Sequence, residues 1–271
     1  MKSPAVIRAA SVLDEVARGS GKPVSTSQLA RQLDVPKSSI VNLCQALVYT
    51  NLLRRHESGY TLGWNLAELG FIYMRSLDPV QEFYDYWQER SEPFEYTVQL
   101  ATLLDGMNMM FVARRSGYSS VQLVATVGRK MPANCTAAGK ALLAGLDHSE
   151  FEQRLAQVDQ LAVMTPRSLE SKDALREEVS NIRARGFATN DEETMPGVLC
   201  VGANLAGMPG RTPPEALPAD FDGVALSMTV VKSQDGGRRD SISWGDDLQK
   251  LLVDLGPRLV PGRQIIDITE R

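Results

Sequence analysis

Residues 29–47 read LARQLDVPKSSIVNLCQAL and predict two short helices separated by a break. Apolar residues recur at helical spacing on both sides of the break: Leu29, Ala30 and Leu33 before it, and Ile40, Leu43, Cys44 and Leu47 after it. Pro36 suits the first position of a helix, because its missing N–H would have no partner there anyway. We therefore predict that the chain turns before Pro36 and that a second helix begins there.

The polar side of this second helix lacks acidic residues, since none occurs between Asp34 and Glu57. Hydroxyl and amide side chains approach phosphates and base edges closely, and an amide can pair with adenine. The first turn of the helix adds backbone N–H groups that attract phosphate. We predict that the helix enters a DNA groove, with contacts from Lys37, Ser38, Ser39, Asn42 and Gln45.

The flanking residues complete a winged helix-turn-helix. The apolar pattern of the N-terminus predicts a first helix, and Ser25 with Gln28 three residues later is a capping box for the next one. The stretch LLRRHESGYTLG, residues 52–63, predicts a small hairpin, which would be the wing. The phosphate-facing side of this wing would carry Arg54, Arg55 and His56.

Charge is distributed unevenly along the chain. Residues 1–75 carry nine Lys/Arg and five Asp/Glu, a net +4, whereas residues 76–271 carry twenty and twenty-eight, a net −8. The positive sign of the first part indicates a polyanionic partner for it alone. Two other interpretations of the first part stay open, a three-helix interaction module and an adaptor that binds protein through the Asn42 face.

The composition limits the remaining classes of protein. A length of 271 residues predicts two domains, and 43% apolar residues suffices for a sizeable core. No apolar run approaches the roughly 18 residues needed to span a bilayer, and charges interrupt the N-terminal stretch, so we expect a cytoplasmic protein without membrane contact. Because the cysteines lie far apart and histidines number only two, we expect neither a metal site nor a cofactor.

A connecting segment follows the wing. Residues 64–87 read WNLAELGFIYMRSLDPVQEFYDYW and predict a helix, an interruption at Pro79 and a second helix. The first of these helices has more apolar positions than a lone linker needs. Packing against a second subunit and packing within the same chain both explain this excess.

The rest of the chain predicts an α+β domain. Two apolar runs flank Asp105-Gly106, which is a strong hairpin signal. Further strands are expected at 121–125, 197–205 and 223–231, and helices near Thr136, at 171–186 and at 244–259. A Pro- and Gly-rich segment, 206–222, stays without an assigned role. Strands in antiparallel succession with helices between them are typical of the α+β class.

Cys135 supports an alternative in which the protein is a small-molecule enzyme. A thiol at a helix N-terminus can have a lowered pKa and act as a nucleophile, and the N-terminal module would then serve oligomerisation alone. Because His148 is the only histidine after the wing, a general base is not obvious, and we expect no catalytic residue. The acidic run 191–193 could bind a metal, but such a run is more often a solvated loop.

The sequence resembles the IclR (isocitrate lyase regulator) family of bacterial transcription factors from about residue 4 to residue 256. The N-terminal part of the resemblance is carried by LARQLDVPKSSIVNLCQAL and by the wing RRHESGYTLG. The C-terminal part is carried by VGRKMPANCTAAGKALLA and RARGFATNDEETMPGVLCVGANL, which are the more specific motifs. The order and spacing of these motifs match the family.

The resemblance implies a winged helix-turn-helix that binds an operator and a GAF-like domain that binds a small organic or aromatic acid. It implies a homodimer or homotetramer. We expect a palindromic, double-stranded operator and repression as the sign of control, although the sequence itself does not decide that sign. The expected domains are the winged helix-turn-helix at 1–63, linker helices at 64–93, the GAF-like domain at 94–260 and a tail at 261–271. The effector would contact Met131, Asn134, Cys135, Thr136, Asn190, Val198, Cys200, Ser227 and Thr229.

Two positions depart from the family pattern. Relatives commonly have arginine where Asn42 stands, so the operator sequence is expected to differ. Many have aspartate where Asn190 stands, so the expected effector pocket lacks a charged group at that point.

Overall fold

The computed structural model describes residues 3–90, 94, 96–117, 126–205, 223–231 and 241–259. The chain divides into two compact units, Met1–Ser76 and Leu77–Arg271, called here the N-terminal and C-terminal units. The expected strand at 121–125, the Pro- and Gly-rich segment 206–222 and the tail 261–271 lie outside the described residues. Within the described parts of the chain, no helix is long and apolar enough to cross a membrane.

The N-terminal unit is a helix-turn-helix followed by a two-stranded sheet and a further helix. Its elements are α1 Pro4–Arg18, α2 Thr26–Leu33, α3 Lys37–Tyr49, β1 Leu53–His56, β2 Gly59–Leu62 and α4 Asn65–Arg75. Val12, Leu29, Ile40 and Cys44 are fully buried at the centre of its core. The core thus joins α1, α2 and α3 on their apolar sides.

Local chemistry sets the boundaries of α2 and α3. The predicted capping box is confirmed, since the Gln28 N–H donates to Ser25 Oγ at 3.2 Å and the Ser25 N–H donates to Gln28 Oε1 at 2.9 Å. Asp34 ends α2 with a left-handed backbone, φ +52°, which turns the chain toward α3. The predicted start of α3 is wrong by one residue, because Pro36 is the cap and Lys37 is the first helical residue.

The predicted wing is present as the hairpin of β1 and β2, with Arg54 paired to Thr61 and Arg55 paired to Tyr60. Neighbouring side chains of a strand point to opposite faces. The expectation that both arginines lie on the same side of the wing is therefore wrong, although both are exposed. Arg54 shares its face with Thr61, whereas Arg55 shares its face with the buried Tyr60.

The C-terminal unit is built on one six-stranded antiparallel sheet in the order β5-β4-β3-β8-β7-β6. The strands are β3 Thr97–Leu103, β4 Asn108–Arg115, β5 Lys130–Pro132, β6 Ala188–Asp191, β7 Val198–Asn204 and β8 Val224–Val231. The helices are α5 Asp78–Gln88, α6 Ala137–Gly145, α7 His148–Ala156, α8 Lys172–Arg185 and α9 Ser241–Leu259, with a 3-10 turn at Ala133–Cys135. The predicted α+β class is confirmed, and the arrangement is consistent with a GAF-like domain.

Helices cover the sheet and create its core. Every residue of β3 is buried, so both faces of the central strands are covered. Helices α6 and α8 pack together and share one apolar core with β3 and β4. Helices α5 and α9 pack against each other and against β4, β7 and β8. Gly202 of β7 lies so close to the start of α6 that an added Cβ would be 3.0 Å from the Ala137 carbonyl carbon.

Candidate functional site

The exposed side of α3 carries the residues predicted to meet DNA. Ser38, Asn42 and Gln45 are exposed, Lys37 is exposed in the first turn, and Ser39 is half-buried. The opposite side packs into the core through Ile40, Cys44 and Leu47, all of them buried. Burial raises the pKa of the Cys44 thiol to about 11, so this thiol packs as a neutral group. The helix therefore keeps one apolar side inside and one small polar side outside.

The electrostatics of α3 favour an anionic partner. The first turn holds no acidic residue, and no side chain caps the helix at Pro36. The first N–H groups of a helix have no partner within the helix, and the macrodipole makes that end positive. Arg54 and Arg55 add positive charge on the wing of the same unit.

A small buried cavity lies in the C-terminal unit between the sheet and the beginning of α6. Its volume is about 20 Å³, room for one or two water-sized groups. Its walls include six of the nine predicted effector residues: Met131, Thr136, Asn190, Cys200, Ser227 and Thr229. The cavity is also lined by residues that were not predicted: Gln99, Phe111, Ala137, Ala138 and Thr194.

Three predicted residues lie outside the cavity wall. The Asn134 amide donates to the Ala162 carbonyl at 2.8 Å, and the Cys135 thiol donates to the same carbonyl at 3.1 Å. These bonds hold the 3-10 turn against the loop that follows α7. Val198 is buried at the start of β7, away from the cavity lining.

A polar network runs across three neighbouring strands at the floor of the cavity. Ser227 Oγ and Thr229 Oγ1, both on β8, donate to Gln99 Oε1 on β3 at 3.2 and 2.9 Å. Thr229 Oγ1 also lies 3.2 Å from Cys200 Sγ on β7. Gln99 and Ser227 are direct partners in the strand register, so the pairing of β3 with β8 creates this network.

The side chains of Asn190 and Thr194 form hydrogen bonds with other groups of the protein. The Asn190 Nδ2 donates to the Cys135 carbonyl at 2.6 Å and to Thr194 Oγ1 at 2.5 Å, and its Oδ1 accepts from the Glu193 N–H at 3.1 Å. Thr194 Oγ1 donates to the same Cys135 carbonyl at 2.6 Å. Their main effect is therefore to fasten the β6–β7 loop to the turn before α6.

The beginning of α6 borders the cavity. Thr136 caps the helix, and its Oγ1 accepts from the Gly139 N–H at 2.9 Å. Ala137 and Ala138 are the first two helical residues and line the cavity. Their N–H groups precede the first intrahelical bond and lack an intrahelical acceptor. This geometry suits an anionic group such as a carboxylate.

A buried ion pair lies beside the cavity and corrects one expectation. Lys140 Nζ of α6 donates to Glu193 Oε1 at 2.6 Å and also lies 3.5 Å from Glu178 of α8. Burial raises the pKa of the Glu193 carboxyl, while the neighbouring Lys140 opposes that shift. The interpretation of 191–193 as a solvated loop is thus wrong for Glu193, which is 8% exposed.

The acidic run does not converge on a metal. Asp191 pairs with Arg167 at 2.5 Å, and Glu192 accepts from the Gly197 N–H at 3.2 Å. Among the residues that the structure describes, no group of three or more His, Cys, Asp or Glu is arranged to hold a metal ion.

The chemistry of Cys135 argues against its use as a nucleophile. The residue is buried, and desolvation is the main cause that raises the pKa of its thiol. Burial likewise raises the pKa of Cys200 to about 11. A thiol that stays protonated is a poor nucleophile, and His148 is exposed at the first position of α7.

Three of the unpredicted wall residues had signals in the sequence. Gln99 is an amide within a strand whose other residues are apolar or threonine, and a buried amide usually has a partner. Ala137 and Ala138 open the helix that the sequence predicted near Thr136. Phe111 and Thr194 gave no local signal, because Phe111 reaches the cavity through the pairing of distant strands and Thr194 through the loop between β6 and β7.

Comparisons with known proteins define the class. The IclR helix-turn-helix domain model matches residues 5–57, and the model of the bacterial transcriptional regulator IclR C-terminal domain matches residues 72–212. These matches describe a helix-turn-helix regulator with an attached C-terminal domain. The chain belongs to the IclR family of bacterial transcriptional regulators. It is thus a DNA-binding transcriptional regulator, and this favours the regulator interpretation over the enzyme.

Relatives and solved structures agree with this assignment. The chain is 29% identical to the HTH-type transcriptional regulator XynR of Escherichia coli K12 over 65% of this chain and 69% of that protein. An IclR transcriptional regulator from Alicyclobacillus acidocaldarius shares the fold, with a TM-score of 0.72 and 19% identity over 96% of this chain and 97% of that one. So does an IclR homologue from Microbacterium hydrocarbonoxydans solved with 4-hydroxybenzoate, with a TM-score of 0.65 and 18% identity over 94% of this chain and 98% of that one.

Proposed function

We propose that this regulator represses its target genes as a homodimer, or as a pair of dimers, bound to a palindromic operator and released by a small carboxylate. The observation that carries the proposal is that one chain holds both an exposed, acid-free side of α3 and a small cavity at the beginning of α6. A regulator that binds chromosomal DNA in a bacterium acts in the cytoplasm, and we propose that location.

DNA contact is assigned to the exposed side of α3 and to the wing. The groups that would contact base edges and phosphates are Lys37, Ser38, Ser39, Asn42 and Gln45. Arg54 and Arg55 would contact the phosphate backbone on the two faces of the wing. Asn42 is the residue assigned to base recognition, because an amide can form two hydrogen bonds with adenine.

Dimerisation is supported by the apolar surface of the N-terminal unit. Helix α4 has no buried residue, although Phe71 is 63% exposed and Ile72 is 58% exposed. Val6 of α1 is also 67% exposed. Apolar side chains grouped on one helix usually mark an interaction site, and a two-fold dimer matches a palindromic operator.

The effector site is assigned to the cavity beside α6. The carboxylate of the effector would accept hydrogen bonds from the N–H groups of Ala137 and Ala138. The rest of the effector would contact Met131, Thr136, Cys200, Ser227 and Thr229. A related IclR homologue was solved with 4-hydroxybenzoate, an aromatic acid. Because the cavity is only about 20 Å³, a larger acid would require Met131 or Phe111 to move.

Asn134, Cys135 and Asn190 are given positioning roles rather than direct contact, and Val198, which is buried outside the cavity wall, is given neither. Asn134 and Cys135 hold the turn before α6, and Asn190 fastens the β6–β7 loop to that turn. A ligand that binds the free protein more tightly than the DNA-bound protein would lower operator affinity by the same factor.

The test combines DNA binding with a substitution at the first residue of α6. Full-length protein is titrated into its own upstream DNA, and a panel of carboxylates is screened for release of the complex. Ala137→Pro removes one N–H while keeping a residue that is tolerated at the first helical position. We expect this variant to bind DNA normally and to respond to the releasing acid at least about tenfold more weakly.

A matched control is Lys172→Pro, which makes the same change at the first position of the surface helix α8. This control should respond like the wild type. Absence of binding to any upstream fragment at low salt would contradict the operator proposal. An equal response of Ala137→Pro and wild type would contradict the carboxylate assignment alone.

A further inference from the structure

Gln99 is an unusual residue for the centre of a sheet. It lies on β3, between β4 and β8, and only 1% of its surface is exposed. Its side chain nevertheless reaches the cavity wall. A buried amide is unfavourable unless all of its polar atoms find partners.

The two ends of the Gln99 amide have different surroundings. Its carbonyl oxygen accepts from Ser227 Oγ at 3.2 Å and from Thr229 Oγ1 at 2.9 Å. The Cys200 thiol, 3.2 Å from Thr229 Oγ1, can donate to that hydroxyl and leave its hydrogen directed at Gln99. This chain of donors fixes the orientation of the amide.

The nitrogen of the amide, Gln99 Nε2, has two N–H donors. Within the part of the chain that the structure describes, no group accepts a hydrogen bond from Gln99 Nε2. Most of the cavity surface is apolar, with Phe111, Met131, Ala137 and Ala138, and the other described side chains that line it are hydroxyls, the Cys200 thiol and the Asn190 amide. A ligand atom that accepts from this nitrogen would therefore be strongly preferred over one that does not.

The charge of the wall decides which acceptor fits. Among the described residues that line the cavity, none has a charged side chain. The neighbouring cation, Lys140, is already paired with Glu193 at 2.6 Å. A second carboxylate on the ligand would lack a compensating charge, whereas a hydroxyl or carbonyl oxygen needs only the amide N–H.

We infer that Gln99 determines the specificity of the cavity by donating to a neutral oxygen of a small monocarboxylate. The carboxylate would lie at the beginning of α6, and the second oxygen, a hydroxyl or a carbonyl, would lie at Gln99. This inference rests on the effector site proposed above and adds to it one residue, Gln99, that would set the preference for an oxygen-substituted acid over the unsubstituted one.

The experiment measures binding of matched acids to the full chain. Each pair has one carbon skeleton and differs by one oxygen: propionate with lactate and pyruvate, and benzoate with its hydroxylated forms. Titration calorimetry gives the dissociation constants. For wild-type protein we expect the oxygen-substituted member to bind at least about tenfold more tightly than the unsubstituted acid.

The diagnostic variant is Gln99→Met, which keeps the length of the side chain and removes the amide. We expect this variant to bind the oxygen-substituted acid only as tightly as the unsubstituted acid. Its affinity for the unsubstituted acid should equal that of the wild type. Gln88→Met, at an exposed position of α5, is the matched control and should keep the wild-type preference. An equal weakening of both acids by Gln99→Met would indicate a merely structural role and overturn the inference.

A second variant covers the case in which Gln99→Met does not fold. Thr229→Val keeps the shape of residue 229 and removes one hydroxyl that orients the amide. Thr229→Val should reduce the preference for the oxygen-substituted acid by a smaller factor than Gln99→Met does. An unchanged preference would overturn the inference. If acids bind without any preference, this inference fails alone. If no acid of either kind binds, the effector site itself fails with it.

Discussion

The exposed side of α3 and the cavity beside α6 use the same residue types in opposite ways. On α3, Ser38, Asn42 and Gln45 face solvent on one turn after another of a single helix. In the cavity, Asn190 and Thr194 are buried and bonded to the protein main chain. The first surface is available to a large partner, whereas the second is shaped by its own internal bonds.

This difference separates binding from stability. A substitution on the exposed side of α3 removes no buried contact, so its effect should fall on DNA affinity with little change in unfolding free energy. A substitution beside the cavity disturbs buried bonds, so its effect should fall first on stability. Each prediction below tests one side of this contrast.

The largest effect is expected from Lys140→Met, which leaves Glu193 buried without its cation. Removing one partner of a buried pair typically costs about 3–5 kcal/mol. Lys140 is 2% exposed and Glu193 is 11% exposed in their side chains, so solvent screens the pair weakly. We expect a marked fall in the melting temperature of the C-terminal unit, measured by calorimetry, with normal melting of the N-terminal unit.

Two controls sharpen this result. Lys140→Met combined with Glu193→Leu removes both charges and should recover most of the lost stability. Arg176→Met breaks the exposed pair with Glu152, whose side chains are 42% and 32% exposed, and should cost at most about 1 kcal/mol. A loss for Lys140→Met no larger than for Arg176→Met would contradict the importance of burial.

Much of the fold was predictable because its signals are local. The Ser25 capping box, the Asp105-Gly106 hairpin and the helix that ends at Gly186 all depend on residues within a few positions of one another. Helix α7 had such a signal too, since Asp147 accepts from the Glu150 N–H at 2.8 Å, but it was missed. Strands β5 and β6 were missed because they have three and four residues, too few for a periodic pattern.

The candidate site was less predictable from the residues alone, because distant segments build it. Gln99 meets Thr229 across 130 residues of chain, and Lys140 meets Glu193 across 53. No periodicity links such positions, so the cavity residues came from the family resemblance. The exposed side of α3, by contrast, follows from the helical period within a single element.

The second prediction concerns Asn42→Asp, which introduces an acid on the acid-free side of α3. The new carboxylate cannot donate to a base and repels phosphates, so we expect operator affinity to fall about tenfold to a hundredfold. Because Asn42 is exposed, the unfolding free energy should stay within about 0.5 kcal/mol of the wild type. Fluorescence anisotropy with labelled operator measures the first quantity and chemical denaturation the second.

Asn181→Asp is the matched control for this change. Asn181 is exposed on α8 of the C-terminal unit, so the variant has the same net charge without altering α3. It should bind DNA like the wild type. Equal losses for both variants would mean that overall charge, rather than the position on α3, sets the affinity.

The third prediction separates the two arginines of the wing. Each phosphate contact contributes about 0.9 to the slope of log affinity against log salt. Replacing both Arg54 and Arg55 by Ala should therefore weaken binding to all sequences and reduce the slope by up to about two. Binding isotherms at several salt concentrations give the slope, with Lys172→Ala of α8 as the control.

The single variants then assign the wing faces. Arg54 and Arg55 point to opposite faces of the wing. If the wing contacts DNA with one face, only one of the single variants, Arg54→Ala or Arg55→Ala, should have a reduced salt slope. If the tip of the wing enters a groove, both single variants should have a reduced salt slope. A salt slope that is unchanged in the double variant would remove the wing from the DNA interface.

The smallest effect is expected from pH, through the carboxyl of Glu193. Its pKa is raised in the folded protein, chiefly by burial, so the folded state binds its proton more tightly than the unfolded state does. The stability that Glu193 contributes is therefore full below its unfolded pKa of about 4.3 and declines as pH rises toward the folded value. The carboxyl faces Lys140 and, more remotely, Glu178, whose own partner is Arg185. Glu193→Gln should remove this decline, so its stability relative to wild type should rise with pH at no more than about 1.4 kcal/mol per pH unit.

Glu152→Gln provides a control of opposite sign for the same measurement. Its hydrogen bond with Arg176 lowers the pKa of Glu152, so the stability from Glu152 is present above the unfolded pKa and is lost as pH falls. As pH rises, the stability of Glu152→Gln relative to wild type should therefore decrease, while that of Glu193→Gln should increase. Denaturation curves between pH 4 and 8 compare the two variants directly. Parallel pH dependences would show that the burial of Glu193 does not govern its proton, and the contrast between buried and exposed polar groups would lose its electrostatic basis.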